Sequence, residues 1–277
     1  MVGLKKIAIF CVTYNSYQEL DTYIKSLLRS YEGVEGKILM DVFVGDNTET
    51  ELKNPVFPER HGIRYYYYHY SDNPGYFGAV NRAMSGIDIS QYYYVVISNV
   101  DLVIDDSFFM SLLSKDISSD VGWIATSLYS CKEHRDRNPE ITNRYSRLKL
   151  ILLALKFRIP LLDAFYNKTL YKRKRVKPAS EPGEIYAGHG SFILLTNSYM
   201  ERCGIINYPM FLFCEELYLA ENCRRSGLKV LYDPSLHVID AEHVSSAKIK
   251  RGIIFRKSAY YKYNYNSVIY ILNTFYR

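Results

Sequence analysis

Two acidic motifs contain the residues of this sequence that could do chemistry. The first, Ser98-Asn99-Val100-Asp101, closes the apolar run 92–97, and a carboxylate at the end of a buried strand can hold a divalent cation. The second is the adjacent pair Glu215 and Glu216, far downstream. A carboxylate that binds no metal can accept a proton from an attacking hydroxyl group. Together the two motifs indicate a metal-assisted group transfer with a carboxylate base.

The elements that must position these motifs alternate between strand and helix. Apolar runs predict strands near 6–13, 38–45, 63–70, 92–98, 121–129, 191–196, 228–232 and 236–240. Helical patterns lie near 17–30, 76–87, 197–203 and 215–226, and another begins at about residue 106. This alternation is typical of an α/β fold with a mostly parallel central sheet. Ligands of such sheets bind beyond the carboxyl ends of the strands, where both acidic motifs are expected.

The composition indicates a folded protein that keeps its cysteines reduced. A chain of 277 residues with 48% hydrophobic content can bury a substantial core. The five cysteines are odd in number and show no CxxC spacing, which argues against a disulfide framework and a zinc site. The apolar run after Lys6 is too short for a signal peptide, and Lys149, Lys156 and Pro160 interrupt the longest apolar stretch. We therefore expect a cytoplasmic protein.

Positive charge is concentrated in the segment 144–177, which holds eleven Lys and Arg residues and one acid, Asp163. Its mixture of basic and apolar residues is typical of an interfacial helix on anionic lipid. A solvated helical hairpin and a nucleic-acid-binding segment are the alternatives, and the continuous run 148–153 favours a membrane surface over nucleic acid. We predict a catalytic domain at 1–246 with a basic helical insertion at about 131–184, and a helical aromatic tail at 247–277.

Six short motifs occur in an informative order. They are Val12 to Ser16, Gly45 to Asn47, Asn73 to Asn81, Asn99 to Asp101, Gly188 to Ser191, and Phe213 to Leu217. In this order they resemble the motifs of the inverting glycosyltransferases of family 2, which have the GT-A fold, and particularly of bacterial members that build surface polysaccharides. The resemblance covers roughly 5–130 and 185–246. It implies a GT-A-like enzyme that moves a sugar from a UDP or dTDP sugar to a hydroxyl group of a glycan or lipid-linked acceptor.

The resemblance assigns the donor nucleotide to the carboxyl ends of the first strands and to the helix entry after them. The residues implied are Thr13, Tyr14, Asn15, Asp46, Asn73, Gly75, Gly78, Asn81 and Asn99. Asp46 would accept a hydrogen bond from the base imide, which favours uracil or thymine over adenine, although Asp46-Asn47 could simply form a turn. Gly75 and Gly78 would let the backbone approach a phosphate. The absence of G-x-G-x-x-G disfavours a nicotinamide enzyme.

Asp101 is the metal ligand that the resemblance implies, because Asn99-Val100-Asp101 stands where the family has Asp-x-Asp. Mg²⁺ or Mn²⁺ suits a site of one or two carboxylates, diphosphate oxygens and water. His243 follows the last predicted strand and is a second candidate ligand, with Asp240 a weaker one. A solvent-exposed histidine is the alternative for His243, and capping of the following helix is the alternative for Asp101.

Glu216 is the general base that the motif favours over Glu215. The family commonly has Asp preceded by Glu here, so both carboxylates remain candidates, and a favourable interaction with the helix dipole is the alternative. The resemblance also places Gly188, His189, Gly190 and Ser191 under the donor or acceptor sugar, where glycines leave room for the ring.

Two other functions compete with this interpretation. A non-catalytic scaffold that binds a sugar nucleotide or a membrane surface is suggested by Tyr218 and Asn222, which depart from the family's pattern. A nucleotidyltransferase would need basic residues around a triphosphate near the first strand, and only Lys5 and Lys6 are close to it. The partners expected are therefore a nucleoside-diphosphate sugar, a glycan or lipid-linked acceptor, and the inner face of the cytoplasmic membrane through 144–177, without nucleic acid.

Overall fold

A computed structural model describes residues 4–50, 55–159, 181–241 and 253–277. Its strands are β1 (Lys5–Thr13), β2 (Ile38–Asp46), β3 (Ile63–His69), β4 (Tyr94–Asn99), β5 (Leu102–Ile104), β6 (Val121–Ser130), β7 (Arg135–Asp136), β8 (Gly183–Ile185), β9 (Phe192–Thr196) and β10 (Lys229–Asp240). Its helices are α1 (Tyr17–Glu32), α2 (Tyr76–Met84), α3 (Phe108–Leu113), α4 (Arg147–Arg158), α5 (Asn197–Cys203), α6 (Glu215–Arg225) and α7 (Ile253–Phe275).

The described strands form one ten-stranded sheet in the order β3-β2-β1-β4-β9-β6-β10-β5, with β7 beside β6 and β8 beside β10. β1 pairs in parallel with β2 and β4, as do β2 with β3 and β6 with β10. β9 runs antiparallel between β4 and β6. The register pairs Thr13 with Asp46 and Val12 with Asn99, so β1, β2 and β4 end at one edge of the sheet.

Two apolar layers cover the faces of this sheet. On one face α1 and α3 pack through residues such as Leu20, Tyr23 and Phe109. On the other face α2, α4, α6 and α7 pack through residues such as Phe77 and Leu217. The strands can therefore be apolar on both faces, which explains their nearly continuous hydrophobic runs. Within the described parts of the chain, no helix has the length and apolar character needed to cross a bilayer.

The structure confirms the predicted α/β fold class with its mostly parallel sheet. Two predictions about elements were wrong. The strands predicted at 228–232 and 236–240 are one strand, β10, whose register slips between Asp233 and His237. The helix predicted from about residue 106 begins at Phe108, because Asp105 accepts hydrogen bonds from the Ser107 N–H and hydroxyl and keeps that turn outside the helix. The domain boundaries stay predictions, and 160–177 of the basic segment lies outside the described residues.

A buried carboxylate, Glu221, anchors the end of the chain to the core. Arg144 donates to it at 2.6 and 3.2 Å, Tyr186 at 2.6 Å and Arg224 at 3.0 Å. Arg144 also stacks 3.9 Å above the ring of Tyr276, beyond α7. Burial by itself would raise the pKa of Glu221, but these hydrogen bonds hold it below its ordinary value. Glu221 is therefore ionised at neutral pH and joins α6 to the C-terminal helix.

We expect Glu221→Gln to lower the free energy of unfolding by about 2 kcal/mol at pH 7, because two arginines lose their charged partner. A group with a depressed pKa in the folded state stabilises above its unfolded pKa, and this contribution is lost as the pH falls through the folded pKa. The deficit of the variant should therefore shrink in acid. Urea denaturation at several pH values measures it, with the exposed Glu184→Gln as control. Equal stability of Glu221→Gln and the wild type at pH 7 would contradict this role.

Candidate active site

The candidate site lies where β1, β2 and β4 end. The Asn47 N–H donates to the Thr13 carbonyl at 2.9 Å, and the Asn47 side-chain amide donates to the Gly75 carbonyl at 3.1 Å. These bonds tie the ends of β1 and β2 to the entry of α2. The predicted nucleotide residues Thr13, Asp46, Asn73 and Gly75 are thereby brought to one edge of the sheet.

Three buried polar atoms in this region lack a hydrogen-bond partner among the described residues. They are Thr13 Oγ1, Asn47 Oδ1 and the Tyr76 hydroxyl. Buried polar groups are almost always paired in folded proteins, and unpaired ones call for a specific explanation. Three of them on connected segments beside the sheet edge are what a site for a polar ligand would provide.

Asp46 is already satisfied by the protein. Its Oδ2 accepts hydrogen bonds from the Tyr17 hydroxyl at 2.8 Å and the Tyr67 hydroxyl at 2.6 Å, and its Oδ1 accepts from the Thr48 N–H at 3.0 Å. Burial would raise the pKa of Asp46, but these hydrogen bonds lower it, so Asp46 is ionised. The carboxylate is fully buried, and a base imide would reach it only if a tyrosine hydroxyl moved. Its contact with the base stays a prediction.

The other predicted nucleotide residues have mixed surroundings. Tyr14 is exposed and donates to Glu49, whereas the Asn15 N–H donates to Thr48 Oγ1. Gly78 faces Pro74, since a Cβ added to this glycine would lie 2.9 Å from the proline Cβ. These contacts are structural in the free protein, and ligand contacts of these residues remain predictions.

Gly75 is required by a close approach of two backbone segments. Its φ of 83° is in the left-handed region, and an added Cβ would lie 2.2 Å from the Phe211 carbonyl oxygen. Asn73 precedes it with a φ of 43° and accepts a hydrogen bond from the Gly75 N–H. Asn81, one turn into α2, donates to the Ile206 carbonyl. The entry of α2 is therefore fixed against the segment that leads to α6.

Tyr76 connects the two acidic motifs. Burial raises the pKa of its hydroxyl well above its ordinary value, and the charges of Glu215 and Asp101 raise it further. The charges of both carboxylates thus act on the same hydroxyl, Asp101 from just beyond β4 and Glu215 from the start of α6. Sequence reasoning did not single out Tyr76, although it falls inside the motif Asn73 to Asn81.

The turn before α6 holds the glutamate pair in a strained backbone. Phe213 and Cys214 have φ values of 75° and 64°, which are unusual for bulky residues and cost of order 1–3 kcal/mol each. The Tyr208 hydroxyl donates to the Phe213 carbonyl at 2.6 Å, and the Phe213 N–H donates to Glu215 Oε1 at 2.9 Å. Glu215 thus stabilises the turn. No residue type in the sequence signals this conformation, because glycine is absent from the turn.

Glu216 differs from its neighbour, because it accepts no hydrogen bond from another residue in the described part of the chain. Burial, and then the charge of Glu215, raise its pKa from 4.5 to about 8. Burial raises the pKa of Glu215 to about 7. Gly190 faces the pair, since a Cβ added there would lie 3.6 Å from Glu216 Oε2. A carboxylate with a raised pKa and no partner is suited to accept a proton.

The surroundings of Asp101 are open and acidic. Asp101 is exposed. Asp240 pairs across the sheet with Leu102, the residue that follows Asp101 in the sequence. Partial burial, and then the charge of Asp240, raise the pKa of Asp101, whereas the charge of Arg137 opposes the increase. Arg137 forms a salt bridge with Asp240 at 2.5 Å. Asp101 is thus the more accessible of the two carboxylates for a cation that carries its own diphosphate.

The described residues contain no group of three or more His, Cys, Asp or Glu side chains that could hold a metal ion. The predicted ligand His243 lies outside the described residues. Asp101 is exposed and fits a cation that is held mostly by diphosphate oxygens and water, which are the ligands that Mg²⁺ and Mn²⁺ prefer. Metal binding at Asp101 stays a prediction.

The segment 188–191, which leads into β9, is held in place by hydrogen bonds to residues after β6 and at the end of β4. The His189 N–H donates to Asn138 Oδ1 at 2.7 Å, His189 Nδ1 lies 2.9 Å from Ser191 Oγ, and the Asn99 N–H donates to the Ser191 carbonyl. Burial lowers the pKa of His189, so the ring is neutral at pH 7. Gly188 has no room for a side chain, because an added Cβ would lie 2.6 Å from the Ala125 Cβ. Arg137 and Asn138 lie outside all six motifs, so sequence reasoning missed them.

Similarity to known proteins supports the GT-A-like fold of this chain, but it does not assign a function. No protein-family model matches this sequence, and no curated protein does. The structure of GalNAc-T7 with UDP, GalNAc and Mn²⁺ is similar over 86% of this chain and 44% of that chain, with a TM-score of 0.52 and 11% identity. S. aureus TarS is similar over 98% of this chain and 44% of that chain, with a TM-score of 0.52 and 8% identity.

The TarS fragment 1–349 is similar over 98% of this chain and 72% of that chain, with a TM-score of 0.51 and 9% identity. The chain therefore spans less than half the length of GalNAc-T7 and of the longer TarS structure. At these identities the likeness concerns the fold alone. The chain has the GT-A-like α/β fold that its sequence predicts.

Proposed function

We propose that this protein is an inverting glycosyltransferase of family 2, of the type that builds surface polysaccharides. It would move a sugar from a UDP or dTDP sugar to a hydroxyl group of a glycan or lipid-linked acceptor. The observation that supports this most is the Tyr76 hydroxyl, whose pKa is raised by the charges of both Asp101 and Glu215. In a GT-A-like fold this neighbourhood supports a shared cleft for a donor diphosphate and an acceptor hydroxyl.

The donor nucleotide would be bound and oriented by polar groups at the ends of the first strands and by a metal ion. Thr13, Asn47 and Tyr76 each offer a buried polar atom without a partner in the described structure, and a ligand that paired them would regain their hydrogen bonds. Mg²⁺ or Mn²⁺ held with Asp101 would neutralise the leaving diphosphate. The GalNAc-T7 structure contains UDP and Mn²⁺, which is consistent with this chemistry in the same fold.

The acceptor side rests on Glu216. Its carboxylate would take the proton of the acceptor hydroxyl as that oxygen attacks the anomeric carbon, while the bond from this carbon to the diphosphate oxygen breaks on the opposite face. Attack opposite the leaving group inverts the anomeric centre. Glu215 would act as a positioning residue, because its hydrogen bond to Phe213 holds the turn that presents Glu216.

We expect Asp101→Ala to remove the metal-dependent part of nucleotide binding. Ligands stabilise the native state by mass action, by about 2.7 kcal/mol at a hundredfold excess over Kd. A thermal-shift panel of UDP, dTDP and ADP, each with and without Mn²⁺, should show an Mn²⁺-dependent increase in the Tm of the wild type and of the exposed control Asp116→Ala. Asp101→Ala should respond equally with and without Mn²⁺. No response of the wild type to either pyrimidine nucleotide would sink the proposal.

We expect Glu216→Gln to bind nucleotide normally and to lose turnover by about 10²–10⁴-fold, the usual contribution of a general base. Because the pKa of Glu216 is raised to about 8, the free protein gains its active carboxylate as the pH rises. The kcat/KM of the wild type should therefore increase with pH and level off above about 8. Unchanged turnover in Glu216→Gln would transfer the role to Glu215, and sugar-nucleotide binding without any turnover would favour the scaffold.

The same shift predicts a cost in stability. A carboxyl whose folded pKa is raised stabilises the protein while it is protonated, and that stability is lost as the pH rises through the folded pKa. Glu216→Gln should therefore lose less stability than the wild type between about pH 4.5 and pH 8, the window between the ordinary and the raised pKa of Glu216. Thermal unfolding across this window separates a charge effect from misfolding.

We expect Tyr76→Phe to lower ligand affinity without lowering stability. Removing an unpaired buried hydroxyl should leave the free energy of unfolding unchanged or raise it, whereas a lost hydrogen bond to the ligand costs about 1 kcal/mol, or roughly fivefold in Kd. Tyr65→Phe is the matched control, because its buried hydroxyl also lacks a partner in the described structure but lies in the middle of β3. Calorimetric titration with UDP and Mn²⁺ measures both. Equal affinity in the two variants would exclude a ligand contact for Tyr76.

A further inference from the structure

Helix α4 has apolar residues on two opposite faces. Its inward face is buried in the core through Leu150, Ala154 and Phe157. Its outward face consists of Leu148, Ile151, Leu152, Leu155 and, just past the helix, Ile159, which are 65%, 39%, 57%, 46% and 44% exposed. We call these five residues the α4 outer stripe. Contiguous exposed apolar residues of this size mark a surface that another partner covers.

Basic residues border the stripe on both sides. At 100° per residue the five apolar side chains fall within an arc of about 100°. Lys149 and Lys156 lie along one margin, and Arg147 and Arg158 lie along the other. The helix contains no acidic residue. An apolar strip between two rows of long cationic side chains is the pattern of a helix lying in a lipid interface, where the cations reach phosphate head groups.

The helix is connected to the segment that carries the candidate base. The Phe157 ring packs 5.9 Å from the Tyr260 ring of α7, and Tyr260 packs 5.3 Å from Phe213. Phe213 is part of the strained turn before Glu215 and Glu216. The inward face of α4 and the turn before the glutamate pair are therefore linked through Tyr260.

We propose that the α4 outer stripe docks this protein on an anionic lipid surface. Charge complementarity favours this occupant, because four cations and no acid flank the stripe. A second copy docked through the same face would bring like charges together. The outer stripe inserts among head groups, and its cations pair with phosphates.

Docking through α4 would bring the protein to the surface that holds a lipid-linked acceptor. Such an acceptor has its sugar close to the membrane surface, and Phe157 on the inner face of α4 contacts Tyr260, which in turn contacts Phe213 in the turn before Glu216. This consequence rests on the proposed glycosyl transfer. Lipid binding itself does not, so the two can fail separately.

Co-sedimentation of the full chain with vesicles tests the docking surface. The wild type should bind vesicles of mixed phosphatidylglycerol and phosphatidylcholine, and should bind phosphatidylcholine alone far less. The double variant Leu152→Glu with Leu155→Glu should lose at least about tenfold in binding to the anionic vesicles, because two apolar side chains that would insert among the lipid head groups become charged. Leu4→Glu with Val56→Glu is the matched control, since it adds the same charge at exposed apolar residues elsewhere.

Each outcome is informative. Loss of vesicle binding in the α4 variant alone, with an unchanged Tm and unchanged UDP binding, supports the docking surface. Three results would overturn it: no binding of the wild type to anionic vesicles, equal binding by both double variants, or a wild-type dimer that only the α4 variant dissolves. The last result would assign the stripe to contact between copies.

Discussion

The close approach of Gly75 to the Phe211 carbonyl is the constraint on which the candidate site depends. No side chain fits between the two segments, since an added Cβ would lie 2.2 Å from that oxygen. The contact holds the entry of α2, at the edge of the sheet where β1, β2 and β4 end, against the segment that leads into α6. Helix α6 therefore begins, with Glu215 and Glu216, near the entry of α2. The pKa of Tyr76 in that entry is raised by burial and then by the charges of Glu215 and Asp101. The proposed cleft between the two acidic motifs therefore depends on this contact.

Placing Glu215 and Glu216 next to each other at the start of α6 costs electrostatic free energy. Glu215 is buried and Glu216 partly buried behind a turn with two left-handed non-glycine residues, and their pKa values rise to about 7 and about 8. The start of α6 offers only partial compensation through its dipole. By contrast, the buried carboxylates of Glu221 and Asp46 are paired with arginines and with tyrosines. A carboxylate with a raised pKa beside a strained turn is typical of functional sites.

The sequence predicted the sheet well because apolar runs of strand length leave few alternatives to buried parallel strands. The assignment of Asp101 and Glu216 to a site came from motifs alone and stays a prediction, although the charges of Asp101 and Glu215 both raise the pKa of Tyr76 after burial. The sequence could not predict that Tyr17 and Tyr67 satisfy Asp46, because α1 and β3 meet there only in the folded chain. The backbone of Phe213 and Cys214 was also beyond prediction, since neither residue type favours a positive φ. The sequence also could not show which face of α4 is exposed, because that depends on how α4 packs against α7 in the folded chain.

The most direct test of the central claim is a crystal structure of the protein with UDP and Mn²⁺, with the metal located by its anomalous scattering. The account predicts Mn²⁺ within about 2–2.5 Å of an Asp101 carboxylate oxygen, the distance range of oxygen ligands to hard cations. It also predicts the β-phosphate between that ion and Glu216, with the Tyr76 hydroxyl against the ligand. Mn²⁺ and UDP bound away from Asp101, with Glu216 on a different surface from the diphosphate, would contradict it.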